Sequence, residues 1–277
     1  MKKTGVVLSL VIFAISLLTI SSSFATEKSK LYEVLERGKL IVGTGSTEPP
    51  YNFVDEKGEL VGFDIDIAKL IARSIFGGKE NIEFIKQTSS ARWPNTESGK
   101  IDFGIQSATV YPDRTLRVAW TRAYADSGIA MLVKADSPIK KPSDLNDAKY
   151  TVAHLTNPAA KERGERIYPK AKVVTFDSIA TEFTAVKTGR ADAAQLDVPI
   201  AKWYAKDNPD VRVLEDWITD PTNTAIFLRL GDFEWWLTLD TLVGEMRGGV
   251  LFSEYAKIYK KWFGEEAKHA KYYVGRK

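Results

Sequence analysis

Strand-like and helix-like segments alternate along almost the whole chain, and the alternation runs through twice. In the first pass "LYEVLERGKL" reads as a short helix closed by Gly38, "KLIVGTG" as a strand, "GFDIDIAKLIARSIF" as a helix and "NIEFIKQT" as a strand. "SSARWPNTESGK" follows as a loop with a short helix, and "IDFGIQSATV" as another strand. A long extended run, "YADSGIAMLVKADSP", separates this from a second series. There the strands "KYTVAHL", "AKVVTF", "ADAAQLD" and "VRVLED" alternate with helices in "NPAAKERGERIYP", "SIATEFTAVKTGR" and "VPIAKWYAKDNP". A strand in "NTAIFLRLGD" and two amphipathic helices close the chain. Strand–helix–strand repetition predicts mostly parallel sheets covered by helices. Two such series predict an α/β protein of two lobes, joined by extended crossings near residues 122–132 and 217–227. Open α/β sheets bind ligands beyond the carboxyl ends of their strands, so the natural site is a cleft between the lobes.

The first 25 residues stand outside this pattern. "MKK", an apolar run, and "SSSFA" with Ser23 and Ala25 at the −3 and −1 places read as a secretory signal cleaved after Ala25. The mature chain, Thr26 to Lys277, has 252 residues, and its 37 basic residues stand against 36 acidic ones. That balance offers no basic excess for nucleic acid. With no cysteine and two histidines, thiol enzymes and cysteine-ligated metals are excluded, and histidine metal sites or triads are poorly supplied.

Between the "EPPYNFVDEKGELVGF" loop, whose Pro49 and Pro50 exclude regular structure, and the first long helix stand Asp64 and Asp66. Phe63, Ile67, Leu70, Ile71 and Ile75 fall at helical spacing behind them. Asp64 is expected as the helix N-cap and Asp66 at the positive end of the helix dipole. Two carboxylates two residues apart on a helix diverge, which suits paired acid–base chemistry badly.

The string "GFDIDIAKLIA" resembles the signature of family 3 bacterial extracellular solute-binding proteins, the periplasmic receptors of polar amino-acid ABC transporters. "RGKLIVGT", "SGKIDFGIQSATVYPDR", "GRADAAQLD" and "YKKWFG" follow the family's order across the mature chain. The resemblance implies a two-lobed periplasmic-binding-protein fold of type II with two hinge crossings. Lobe 1 would be formed by residues 26–124 and 222–277, with the C-terminal helices returning to it, and lobe 2 by residues 125–221. It implies no catalysis and no cofactor. A monomer would bind a small amino-acid-like ligand in the periplasm and present it to an inner-membrane permease. An exported cyclohexadienyl dehydratase on the same scaffold is the alternative, with Glu48 as the one nameable acid.

An amino acid brings a carboxylate and an ammonium, and a closing cleft must supply opposite charges to both. By the family register, Arg114 receives the carboxylate with Ser107 and Thr109 beside it, and Asp197 receives the ammonium. Asp192 in the same motif closes a turn outside the cleft. Glu48 and Tyr51 occupy the first-loop register. Glu48 would attract a basic or amide ligand, or stand as a solvated loop residue. Arg92 and Trp93 fall where relatives touch the ligand side chain. Arg92 argues for an acidic ligand, or pairs with Glu48, and Trp93 reads equally as core. Where relatives carry glycine and threonine or serine, this chain has "TNPAA": Pro158 lacks an amide hydrogen and Ala159 a hydroxyl, leaving Thr156 and Asn157 to compensate. His154 reads as a partly buried structural residue.

Overall fold

In a computed structural model of the chain, residues 28–156, 160–216 and 218–270 are described. The signal segment and Asn157 lie outside them. The first lobe opens with α1 (Lys30–Arg37), which Gly38 closes in a left-handed conformation. The strands β1 (Leu40–Thr44) and β5 (Ile82–Lys86) pair in parallel, and β6 (Phe103–Gly104) joins β1 on the other side, also in parallel. Between β1 and β5 runs α2 (Phe63–Ile75), whose Phe63, Ile67, Leu70 and Ile71 are fully buried. Each such side chain contributes about 1.5–3 kcal/mol by leaving water, which is why the 3.6-residue spacing was so readable.

One long strand, β7 (Ala119–Lys134), leaves this half and enters the other. There β8 (Thr151–Leu155), β9 (Lys172–Phe176) and β10 (Ala193–Asp197) form a second parallel group, β10 lying antiparallel to the far end of β7. Three helices, α4 (Ala160–Ile167), α5 (Ile179–Lys187) and α6 (Val198–Lys206), alternate with these strands. The short β11 (Val211–Val213) pairs with β7, and β12 (Thr219–Leu228) returns along β7 in antiparallel register. The result is two parallel half-sheets joined by an antiparallel pair of crossing strands, in the order β5-β1-β6-β12-β7-β10-β8-β9. The last helices, α7 (Phe233–Gly248) and α8 (Phe252–Phe263), pack on the first lobe. Asp66 at the start of α2 accepts from Trp262 Nε1 at 2.8 Å and Lys261 Nζ at 2.7 Å, tying the chain's end to the first long helix.

Three local expectations are corrected. The proline-containing loop holds a small antiparallel sheet, β2 (Thr47–Glu48), β3 (Asn52–Val54) and β4 (Leu60–Val61). Gly62, not Asp64, is the N-cap of α2, because the chain enters the helix at φ 137° and a Cβ there would lie 2.1 Å from the Tyr51 carbonyl oxygen. The "IDFGIQSATV" strand is only Phe103–Gly104, and Ser107 beyond it leaves extended geometry at φ 40°.

Candidate functional site

Asp64 is fully buried, and its carboxylate is the anchor of the cleft floor. It accepts from Tyr124 Oη at 2.7 Å, Asn52 Nδ2 at 2.8 Å and the Ser107 amide at 2.8 Å. Burial pushes it up to about 7, against the pull of those three donors. The Ser107 hydroxyl donates to Glu48 Oε2 at 2.6 Å, and Asn52 and Gln106 also donate to Glu48. Ser107 thus holds a conformation that costs a non-glycine residue about 1–3 kcal/mol, and both its amide and its hydroxyl are fixed in return. Asp64→Ala should lower the unfolding free energy by about 2–4 kcal/mol, since it orphans several buried donors. Urea denaturation checks this; a loss within 0.5 kcal/mol, roughly the scale of an ordinary surface change, would contradict it.

Beyond that floor, Ser107, Thr109 and Arg114 continue into a small cavity of about 80 Å³ between the lobes. Arg114 stands in a single 3-10 turn, Pro112–Leu116. Its guanidinium is buried, Nη1 donates to the Thr109 carbonyl at 2.6 Å, and Nε has no partner among the described residues. Burial and the neighbouring Arg92 and Arg163 together pull its pKa well down. Arg92, at the start of α3 (Arg92–Glu97), is equally buried, lines the same cavity and also has an unpartnered Nε. Burial pulls it down to about 10, while the Glu48 carboxylate acts the other way.

From the second lobe comes Asp197, at the last position of β10. It occupies the N-cap position of α6, with Pro199 in the first turn, yet its carboxylate makes no capping bond. Its Oδ1 is buried without a hydrogen-bond partner among the described residues. Burial, then the Glu48 carboxylate, push it up to about 7, with Arg114 and Arg92 pulling down. A buried, unsatisfied carboxylate oxygen facing buried guanidiniums is a site shaped for a cation that is also an anion. Apolar walls come from Ile129, Ile179 and Ile200.

The structure therefore brings Arg92, Ser107, Thr109, Arg114 and Asp197 around one cavity. Other expected residues stand elsewhere. Glu48 is 3% exposed, so it is no solvated loop residue, and it flanks a separate recess with Gln87, Ser89 and Asp177. Tyr51 packs edge-on against Phe63 and Phe263 in the first lobe's core. Trp93 packs against Trp120 and Phe227, with the Arg92 and Arg114 guanidinium carbons 4.7 and 5.7 Å from its ring centre. Thr156 is not on the cavity wall; its amide donates to the Phe176 carbonyl at 2.6 Å. His154 does line the cavity, and burial followed by Arg163 holds it down to about 4, hence neutral.

Arg163 and Tyr111 complete the wall and were not foreseen. Arg163 Nη1 on α4 reaches Asp113 Oδ2 on the opposite lobe at 2.6 Å, and its guanidinium carbon lies 4.5 Å from the Tyr111 ring centre. The signal for it was Gly164, an odd residue inside a helix, where glycine costs about 1 kcal/mol. A Cβ there would come within 2.9 Å of His154 Nε2, so the glycine lets α4 approach β8 closely. Further bonds cross the gap, from Tyr204 Oη to the Thr47 carbonyl at 2.9 Å, from the Ser90 amide to Asp177 Oδ1 at 3.1 Å and from the Ser89 amide to the Asp177 carbonyl at 3.5 Å. The lobes are in contact around the cavity.

Among known proteins, a family profile for bacterial extracellular solute-binding proteins, family 3, matches residues 40–265. A glutamine-binding protein of Geobacillus stearothermophilus is 33% identical over 197 residues, covering 71% of this chain and 75% of that protein. The crystal structure of an ancestral amino acid-binding protein, described as a precursor of cyclohexadienyl dehydratase, superposes with a TM-score of 0.76 at 34% identity, covering 85% of this chain and all of that one. A cysteine-binding protein from Campylobacter jejuni superposes at 0.78 with 25% identity, covering 89% of this chain and 96% of that one.

Proposed function

The chain belongs to the bacterial extracellular solute-binding proteins of family 3, and from that premise we propose that it is the periplasmic receptor of an ABC importer, closing on one amino acid and delivering it to an inner-membrane permease. An amino-acid-binding role is common to the named relatives. The observation that carries the reading here is a single one: the buried guanidinium of Arg114 and the half-buried Asp197, whose Oδ1 is buried and unpartnered among the described residues, line one cavity from opposite lobes. Ligand bridging the two favours the closed form, and no reacting group is needed for that. In this reading the protein is exported after cleavage at Ala25 and acts as a monomer. Residues 26–124 and 222–277 form the lobe that carries Arg114, and residues 125–221 the lobe that carries Asp197.

A thermal-shift screen against the common amino acids tests it. Ligand at a hundred times Kd adds about 2.7 kcal/mol, which for a chain of this size raises Tm by roughly 5–10 °C. At least one amino acid should do so; a flat screen would contradict the proposal. Incubation with prephenate is expected to leave phenylpyruvate absorbance at baseline. Glu48, the acid considered for a dehydratase, accepts hydrogen bonds from Ser107, Gln106 and Asn52 and stands off the cavity wall. Turnover would overturn the assignment as a binding protein.

A further inference from the structure

The charges on the cavity wall are not balanced. Among the described residues three guanidiniums line it, those of Arg92, Arg114 and Arg163, and one carboxylate, that of Asp197. Arg163 has a partner in Asp113 at the rim. Arg114 and Asp197 match the two ends of any amino acid. Arg92 is left over: it is 2% exposed, its Nε has no partner among the described residues, and no hydrogen bond or ion pair joins it to Glu48 there. The Glu48 oxygens are occupied by Ser107, Gln106 and Asn52, on a different recess. Glu48 tempers the Arg92 charge from a distance without filling its fork.

We propose that Arg92 receives a second anionic group on the ligand's side chain, so that the receptor is selective for dicarboxylic amino acids. This rests on the reading of the cleft as an amino-acid site, and departs from the glutamine- and cysteine-binding names of the relatives. A buried guanidinium without an anion is strongly unfavourable, and a carboxylate matches its planar fork with two parallel bonds. A neutral amide offers that fork one acceptor and no charge. A basic side chain would bring a third cation beside Arg92 and Arg163. The guanidinium carbons of Arg92 and Arg114 stand 4.7 and 5.7 Å from the centre of the same Trp93 ring, which attracts both cations without competing for their hydrogen bonds. The neutral His154 and the isoleucine walls add no charge that would favour another class.

Isothermal titration with aspartate, glutamate, asparagine, glutamine and arginine decides the matter on the unmodified protein. The expected result is that one of the acids binds at least tenfold tighter than its own amide, with arginine weakest. Arg92→Gln should erase that ratio by weakening the acid more than the amide. An amide or arginine binding as tightly as the acids would overturn the selectivity and leave the amino-acid receptor standing; it is also the result if one carboxylate bridges Arg92 and Arg114. Binding of no amino acid at all would overturn both.

Discussion

Arg114→Ala is expected to reduce amino-acid affinity by roughly a hundredfold to several thousandfold, to the point where titration detects no heat. The size follows from what is removed. Taking away one partner of a buried charge pair costs about 3–5 kcal/mol, because the other charge stays desolvated and alone, and each 1.4 kcal/mol is about tenfold in Kd. The ligand carboxylate would lose its forked partner, and Ser107 beside it has already committed its amide and hydroxyl to Asp64 and Glu48. Arg114→Lys separates charge from shape: it keeps a cation but loses the fork, and should recover only part of the loss. Loss of the bond to the Thr109 carbonyl lowers stability as well, by about 1 kcal/mol, so circular dichroism melting accompanies the titration. Near-normal affinity in a folded Arg114→Ala protein would remove this residue from the site.

Asp197 carries the second large expectation, and it includes a pH dependence. The ligand's ammonium needs the carboxylate ionised, whereas burial and Glu48 hold Asp197 at about 7 in the empty cleft. Ligand therefore lowers the pKa, and below pH 7 binding must release a proton. Affinity should be flat above about pH 7.5 and fall towards tenfold per pH unit as the solution becomes more acidic. Asp197→Asn should bind at least a hundredfold more weakly at pH 8 and lose this pH dependence. The stability of the ligand-free protein should run the opposite way. A carboxyl whose folded pKa lies above its unfolded value, near 4, binds protons more tightly when folded, so its effect on stability worsens as pH rises from about 4 to 7. Asp64 acts in the same direction. Titrations from pH 5.5 to 8.5 in the two proteins check the first effect, and melting without ligand checks the second. A pH-independent affinity in the parent protein would contradict the role given to Asp197.

How much of this was legible in the sequence differs by element. The face formed by Phe63, Ile67, Leu70 and Ile71 was plain because helical burial repeats within one segment, where a single chain displays it. The two series of strands and helices were plain for the same reason. Gly62 as the helix cap was not, because Asp64 has better capping chemistry, and the φ of 137° and the approach of the Tyr51 carbonyl that exclude a side chain at position 62 arise only in the fold. Arg114 and Asp197 were placed by a family register, whereas the local sequence offers a surface arginine after "YPD" and a cap before "VP". Arg163 and Tyr111 escaped because their role depends on two lobes meeting. Asp113 and Arg163 are fifty residues apart in the chain, and no spacing rule joins them. Glu48 was ambiguous for a related reason: its partners Gln106 and Ser107 come from a distant segment, and those partners decide whether its charge faces ligand or protein.

The crystal structure of the protein with its tightest-binding amino acid measures the central pairing directly. It should show both Arg114 terminal nitrogens or Nε within about 3.2 Å of the ligand's α-carboxylate, and an Asp197 oxygen within the same reach of its ammonium. A ligand bound with its carboxylate and ammonium held by other groups, or seated in the recess beside Glu48, would contradict the account.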